Sequence, residues 1–320
     1  MKYTYTIIIP HKNIPKFLHR CIDSIPRRED THIIVVDDNS NPDMVDFDHF
    51  PGYDRDDVEL VFTKDGKGAG YARNVGLEHA NSDKILFADA DDFFTYCFND
   101  VLNEYSEDDS DVVFLNMCSV MEGTYLHSNR CAYKNQLIDG YLHKDPVKFE
   151  QLLRYDEGSP CSKIIKKTLI DEYQVTFEEL PIHDDTKFSY QIGHYAKKIK
   201  VDERAIYCIS QSPTSISFTL TDDKYLTRMH VIGERDRFVR GLGLNLDCTG
   251  KFLLRTLSEI RDAGKVNLYE ECLGILESYG FQADMMRKKI NDRAKRRSRI
   301  ERRIRLKTMI KRFLIRCHIL

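Results

Sequence analysis

GKGAGYARNVGLEHANSDKILFADADDFF, residues 66–94, holds three elements in one line. A glycine-rich turn at Gly66, Gly68 and Gly70 opens a helix from about Ala69 to His79, and an apolar strand, Ile85 to Ala88, then ends in Asp89, Asp91 and Asp92. Four consecutive apolar residues read as a strand buried on both faces, and such a strand carries carboxylates only where it emerges into solvent. The acids therefore mark the carboxyl edge of a sheet, where open α/β sheets bind ligands. Asp89 and Asp91, two apart on an extended chain, project to one side. Two hard oxygen ligands then face one point, the way Mg2+ or Mn2+ is held when a substrate phosphate completes its shell.

Moving toward the N-terminus, the same arrangement recurs. Tyr3 to Ile9 reads as a first strand ended by Pro10, and residues 15–25 as a helix with Pro15 in its first turn. His32 to Val36 is a second apolar strand, stopping at Asp37, Asp38, Asn39 and Ser40. Taken alone, DDNS reads equally well as a turn. Two buried strands delivering acids to one edge is harder to explain structurally. Val58 to Phe62 and Asp111 to Met117 add two more strands. Strand and helix alternate, so the first ~120 residues form a mostly parallel sheet with flanking helices. Beyond Cys118 the pattern loosens: helices fit near 145–155, 166–173 and 183–195, and a strand fits 197–209. From Asp223 onward the chain is all helical. The expected domains are 1–220, divided into a donor half (1–117) and an acceptor half (118–220), and a helical extension over 221–320.

The 320 residues include nine cysteines scattered singly, with no CxxC pair. That argues against a disulfide framework or a zinc site and for a reducing compartment. No signal peptide and no apolar run of the ~18 residues needed to span a bilayer are visible. Charge is divided unevenly: residues 285–320 hold fifteen Lys or Arg and two acids, a net of +13, and the whole chain carries −3, so residues 1–284 carry −16. The acidic body has no recognisable nucleic-acid module.

The glycines do not make a dinucleotide fingerprint, because Arg73 or Tyr71 falls where a third small residue belongs, and no GK[ST] P-loop is present. They read as a turn that lets backbone approach a ligand, with Arg73 presenting a cation. TIIIPHKN, VVDDNS and GAGYARNVGLEHANSDKILFADADD, in this order and at these intervals, resemble the donor-binding half of the family 2 glycosyltransferases, closely over residues 4–92 and more loosely to about 218. The resemblance implies the GT-A fold, a Rossmann-like α/β sheet. It also implies roles: Pro10 lines the base pocket, Asp38 accepts from a uracil-like edge, and Arg73 closes the pocket. Asp89 contacts ribose or a metal-bound water, Asp91 binds Mn2+ or Mg2+, and Asp92 supports it. Gly70 belongs to the turn beside the donor. Lys12 stands where the family often has an aromatic that stacks on the base.

In the second half, LPIHDDTKF resembles the family's Glu-Asp-Thr segment, with Asp184 in the Glu position and Asp185 in that of the base that deprotonates the acceptor hydroxyl. A helix cap is the plain alternative for this pair. Ser159 to Lys163 matches a turn near the acceptor, and Ser212 to Ser217 a serine-rich loop over the diphosphate, with Ser217 as its contact. The expected enzyme moves a sugar from a nucleotide-diphosphate donor, a UDP-sugar, to a hydroxyl of a glycan or lipid-linked glycan, with inversion and metal assistance. The rivals are an inactive membrane scaffold of the same fold and a sugar nucleotidyltransferase, which would need a basic glycine-rich loop where PHKNIPK stands. Leu306, Ile310, Phe313, Leu314 and Cys317 recur at helical spacing among cations, so the tail reads as a basic amphipathic helix on an anionic membrane surface. The expected location is the cytoplasmic face of the cell membrane.

Overall fold

This computed structural model describes residues 2–212, 220–246 and 250–316. Its first elements are β1 (Tyr3–His11), α1 (Pro15–Asp23), β2 (Thr31–Asp38), β3 (Val58–Thr63), α2 (Ala69–His79) and β4 (Ser82–Phe87). β1 lies between β2 and β4, and β3 pairs beyond β2, all in parallel; Ile7 stands opposite Ile33 and Leu86. Ile7, Ile8, Ile34 and Phe87 are wholly buried, as a sheet covered on both faces requires.

Two expected boundaries move. β1 does not stop at Pro10 but pairs it with Val36 and continues to His11. The Ala88 amide donates to the Ile8 carbonyl, so Ile8, and two residues later Pro10, face the β4 side. Paired β4 ends at Phe87, so the missing proline N–H interrupts no ladder. β4 itself begins at Ser82, three residues before its apolar run. Of its polar start Asp83 is exposed, while Ser82 and Lys84 are buried because Ser82 Oγ donates to the Lys84 carbonyl and Lys84 Nζ donates to the carbonyls of Tyr105, at 2.6 Å, and Ser106.

The chain continues through β5 (Phe93–Phe94), α3 (Phe98–Tyr105), β6 (Val112–Met121), α4 (Ala132–His143), α5 (Pro146–Tyr155), β7 (Lys163–Lys166), α6 (Lys167–Tyr173), α7 (Thr186–Tyr195) and β8 (Ile199–Gln211). The eight strands form one sheet in the order β3-β2-β1-β4-β7-β6-β8-β5. β6 does not simply extend the parallel run. β7, antiparallel to both neighbours, sits between β4 and β6, while β6 and β8 pair in parallel. The second half of the α/β region thus completes the sheet begun by the first. β7 tolerates a lysine at its buried start because Lys163 Nζ meets Glu157 Oε2 at 2.7 Å and lies over the Phe114 ring.

The chain divides into two compact units, Met1–Thr227 and Arg228–Leu320. The second is helical: the end of α8 (Asp222–Gly241), then α9 (Gly250–Asp262), α10 (Val266–Ser278) and α11 (Ala283–Arg316). Leu253, Leu257, Cys272, Leu273, Leu276 and Ile290 form its core. Gly233 is required there, since a Cβ would lie 2.4 Å from the Tyr279 ring. α11 buries Ala283, Met286 and Ile290 and then presents exposed Ile300, Ile304 and Met309. Among the described residues no helix is long and apolar enough to cross a membrane. The side chains of Leu306, Ile310, Phe313 and Leu314, and all of Cys317, lie outside the described residues, as does Ser217.

Candidate active site

At the end of β2 the two aspartates have different surroundings. Asp37 Oδ1 meets His11 Nδ1 at 2.8 Å and accepts from Ser40 Oγ at 2.5 Å, while Oδ2 accepts from the Ser40 amide at 2.9 Å. Burial pushes its carboxyl up, but the bonds from His11 and Ser40 pull it further down, below the ordinary carboxylate range. Asp37 is thereby the turn residue of DDNS. Asp38, 2% exposed, accepts the Gly68 amide at 2.9 Å and Lys12 Nζ at 3.3 Å, both on Oδ2. Its Oδ1 is buried and has no hydrogen-bond partner among the described residues.

After β4 the chain does not remain extended. The Asp92 amide donates to the Asp89 carbonyl at 3.0 Å, closing a tight turn that brings Asp89 and Asp91 together. The expected extended geometry is therefore replaced by a turn with the same consequence for charge. Burial first, and then the charge of Asp89, push the Asp91 carboxyl up to about 6. Asp92 turns away from the other two: its Oδ1 accepts the Ser210 amide of β8 at 2.8 Å, and burial with two acidic neighbours raises it well above its ordinary value. It fastens the turn to the sheet. The Asp89 amide donates to the wholly buried Tyr207 hydroxyl at 2.8 Å.

Arg20, which sequence reading passed over, holds the turn from the other side. It reaches the Asp91 carbonyl with Nη2 and Glu122 Oε2 at 3.0 Å with Nη1, its guanidinium 5.2 and 5.1 Å from the ring centroids of Phe17 and Phe93. Glu122 in turn accepts from Ser210 Oγ. The partners of Arg20 lie 71 and 102 positions away in sequence, so only the fold reveals the connection.

Arg73 connects the two halves. Buried in α2, it donates to Asp89 Oδ1 and to Asp184 Oδ2, both at 2.6 Å. Burial opposes its charge, but Asp89 and Asp184 outweigh it and hold the guanidinium firmly protonated. These contacts make Arg73 a bridge between Asp89 and Asp184. Gly70 has a packing reason to be glycine: a Cβ there would lie 2.0 Å from the Glu178 carbonyl oxygen and 3.1 Å from Asp184 Cβ. Absence of a side chain lets α2 lie against the segment that carries the acids. Asp185, half-buried at the N-cap of α7, makes no capping hydrogen bond with its side chain. Burial first, then neighbouring Asp184, push its carboxyl up to about 7. Lys163 is spent on Glu157 and 1% exposed, so the Ser159–Lys163 turn does not present it to an acceptor.

Among the described residues no group of three or more His, Cys, Asp or Glu could hold a metal ion. Asp91, carrying a charge that Asp89 disfavours, with Asp89 42% exposed beside it, fits a divalent cation whose other ligands are phosphate and water.

The sheet order and the helices around it are those of the GT-A fold. The S. aureus TarS 1-349 crystal structure aligns with a TM-score of 0.59 at 20% identity, covering 86% of this chain and 80% of that one. TarS 1-349 in complex with UDP-GlcNAc aligns at 0.57 and 19% identity, covering 86% and 91%. The mannosyltransferase PcManGT of Pyrobaculum calidifontis, in complex with GDP-Man and Mn2+, aligns at 0.50 and 15% identity, covering 92% and 81%. Residues 6–159 match the family described as Glycosyl transferase family 2, so the region they span carries that family's domain. The chain is similar to the uncharacterized glycosyltransferase EpsJ of Bacillus subtilis, 26% identical over 66% of this chain and 62% of that protein. It is also similar to the teichoic acid poly(glycerol phosphate) polymerase of Staphylococcus epidermidis, 22% identical over 60% and 26%. The chain spans about three fifths of the length of the first two curated relatives it matches.

Proposed function

We propose that this chain transfers a hexosyl or N-acetylhexosaminyl group from a nucleotide-diphosphate sugar, a UDP-sugar, to a hydroxyl of a glycan or lipid-linked glycan, inverting the anomeric carbon in a single displacement. The observation that carries the reading is Asp185: a carboxylate without a capping bond, pushed up to about 7, one residue from the Asp184–Arg73–Asp89 bridge. A base with a pKa near the working pH is ionised in roughly half of the molecules and still takes up a proton effectively. Asp185 accepts the acceptor hydroxyl's proton as the oxygen attacks. Arg73, bonded to both sides, fixes the distance between donor acids and base. Asp91 and Asp89 would hold Mn2+ or Mg2+, which would supply Lewis-acid stabilisation of the leaving diphosphate. The complexes of TarS with UDP-GlcNAc and of PcManGT with GDP-Man and Mn2+ support the donor class.

The net positive charge of residues 285–320 supports a location at an anionic membrane surface on the cytoplasmic side, where a lipid-linked acceptor would be met. Calorimetric titration of UDP, GDP and CDP, with and without Mn2+, into wild type and Asp91→Ala tests the donor site. Metal-dependent UDP binding that the variant loses is the expected result; a folded protein that binds no nucleotide overturns the reading. Cosedimentation with phosphatidylglycerol vesicles, lost at high salt, is the corresponding expectation for the tail.

A further inference from the structure

We propose that Lys12 reads the edge of the nucleobase, working with Asp38 as a donor–acceptor pair that selects bases presenting a ring N–H beside a carbonyl. The inference rests on the donor-site reading above and deepens it. Asp38 is 2% exposed, and its buried Oδ1 has no hydrogen-bond partner among the described residues, a condition native structures leave in few places. Its other oxygen already takes the Gly68 amide and Lys12 Nζ. An acceptor thus stands ready beside a cationic donor.

The frame around Lys12 is fixed while its end is not. On one side, His11 bonds Asp37 through Nδ1 at 2.8 Å and accepts the Ile14 amide on Nε2 at 3.1 Å. On the other, Asn13 sits in the left-handed region at φ 61°, its amide donating to Ser40 Oγ at 2.8 Å and its Oδ1 accepting the Asn41 amide at 2.7 Å. The Lys12 side chain remains 46% exposed, joined to Asp38 by one 3.3 Å contact. Gly66, at φ +65°, lies opposite; even a Cβ there would come within 3.4 Å of Nζ. On this reading the half-exposed Lys12 ammonium, held by that one contact, shifts from the carboxylate to an incoming carbonyl.

The chemistry of the pair determines what it accepts. A lysine only donates and an ionised carboxylate only accepts. Uracil offers N3–H beside O4, and guanine offers N1–H beside O6, so each satisfies both groups at once. Held in the same register, cytosine and adenine would set a bare ring nitrogen against the carboxylate and an amino group against the ammonium, and would keep both bonds only by sliding along the edge until the amino group met Asp38. An aromatic at position 12 would instead stack on any base, because every base has a π-face. Lysine exchanges general affinity for discrimination.

Calorimetric titration of UDP, GDP, CDP and ADP into wild type, Lys12→Met and Lys12→Tyr, with circular dichroism as the check of folding, tests this. Wild type should prefer the better of UDP and GDP over CDP and ADP by at least about tenfold, and the two arms tell uracil from guanine. In Lys12→Met that preferred nucleotide should weaken by about tenfold to a hundredfold, as expected for a lost charge-assisted hydrogen bond. CDP and ADP should hardly change, so the preference collapses. Lys12→Tyr should recover affinity without recovering the preference. If wild type binds UDP or GDP but Lys12→Met keeps the full preference over CDP, Lys12 does not read the base and the donor site stands. If folded wild type binds no nucleoside diphosphate, both readings fall.

Discussion

At the end of β2, Asp37 receives His11 and both the hydroxyl and the amide of Ser40, and its carboxyl is held below the usual range. At the start of α7, Asp185 receives no capping bond, and its carboxyl is pushed up to about 7. The two residues belong to doublets that read alike in sequence, VVDD and IHDD, and both sit where burial alone would raise an acid. The difference lies in the donors supplied. Where the fold provides them, an aspartate becomes a turn; where it withholds them, the carboxylate stays available to a ligand or a proton. In the third doublet one donor is not enough: Asp92, though bonded to the Ser210 amide, is raised well above its ordinary value by burial and its acidic neighbours, and Asp91 is pushed up to about 6.

The strongest way to break this comparison is Asp185→Asn. If Asp185 is the base, kcat should fall by about 10²–10⁴, and kcat/KM of the wild type should fall about tenfold per pH unit below about 7. The same substitution should stabilise the fold. A carboxyl whose folded pKa lies above its unfolded value of 3.8 opposes folding progressively as pH rises through that interval. Calorimetry at pH 8 should therefore show a gain on the order of 1–3 kcal/mol, absent near pH 4. A lower melting temperature at pH 8 would mean that Asp185 is satisfied after all.

Asp37→Ala should do the opposite, costing about 3 kcal/mol in urea unfolding at neutral pH because it leaves buried donors without their acceptor. With a folded pKa below the unfolded one, the contribution of Asp37 is fully present above the unfolded value of 3.8 and is lost as pH falls through the folded one. The deficit of the variant should shrink over that acid interval. The smallest expected effect concerns Asp91. Arg20→Lys cannot reproduce the planar fork that reaches Glu122 and the Asp91 carbonyl together. Half-saturation by Mn2+ in nucleotide binding should rise roughly tenfold, as for other groups that orient metal ligands. Unchanged metal dependence would separate Arg20 from the function of the turn.

Local patterns made part of this legible. Helix α2 follows from a glycine turn and helical spacing, and it occupies Ala69–His79 as read. The acid-bearing ends of β2 and β4 follow from apolar runs that break at aspartates. Which member of each doublet is tied down does not, because the deciding donors are distant: His11 lies 26 positions from Asp37 and Ser210 lies 118 from Asp92. β7 was hidden by its lysines, since Lys163 is buried only in the presence of Glu157. α3 carries a readable stripe, Phe98, Val101, Leu102 and Tyr105, but is short and begins beside the acids of the turn. The approach of Asp184 to Asp89 leaves no local signal, because it is made by Arg73 between acids more than ninety positions apart.

The long final helix is, electrically, a polyelectrolyte rod. Its 34 residues span roughly 50 Å at 1.5 Å per residue, and they carry fifteen cations against three acids. The cations are spaced about 3–4 Å apart along the axis, well inside a screening length of ~8 Å at physiological ionic strength. Like charges one turn apart work against the helix itself. Added salt therefore has two opposed effects on one element: it relieves self-repulsion and firms the rod, while weakening its hold on any anionic surface. On the membrane-surface reading proposed above, an anionic surface would neutralise the rod as it bound, coupling helix formation to docking in a single equilibrium.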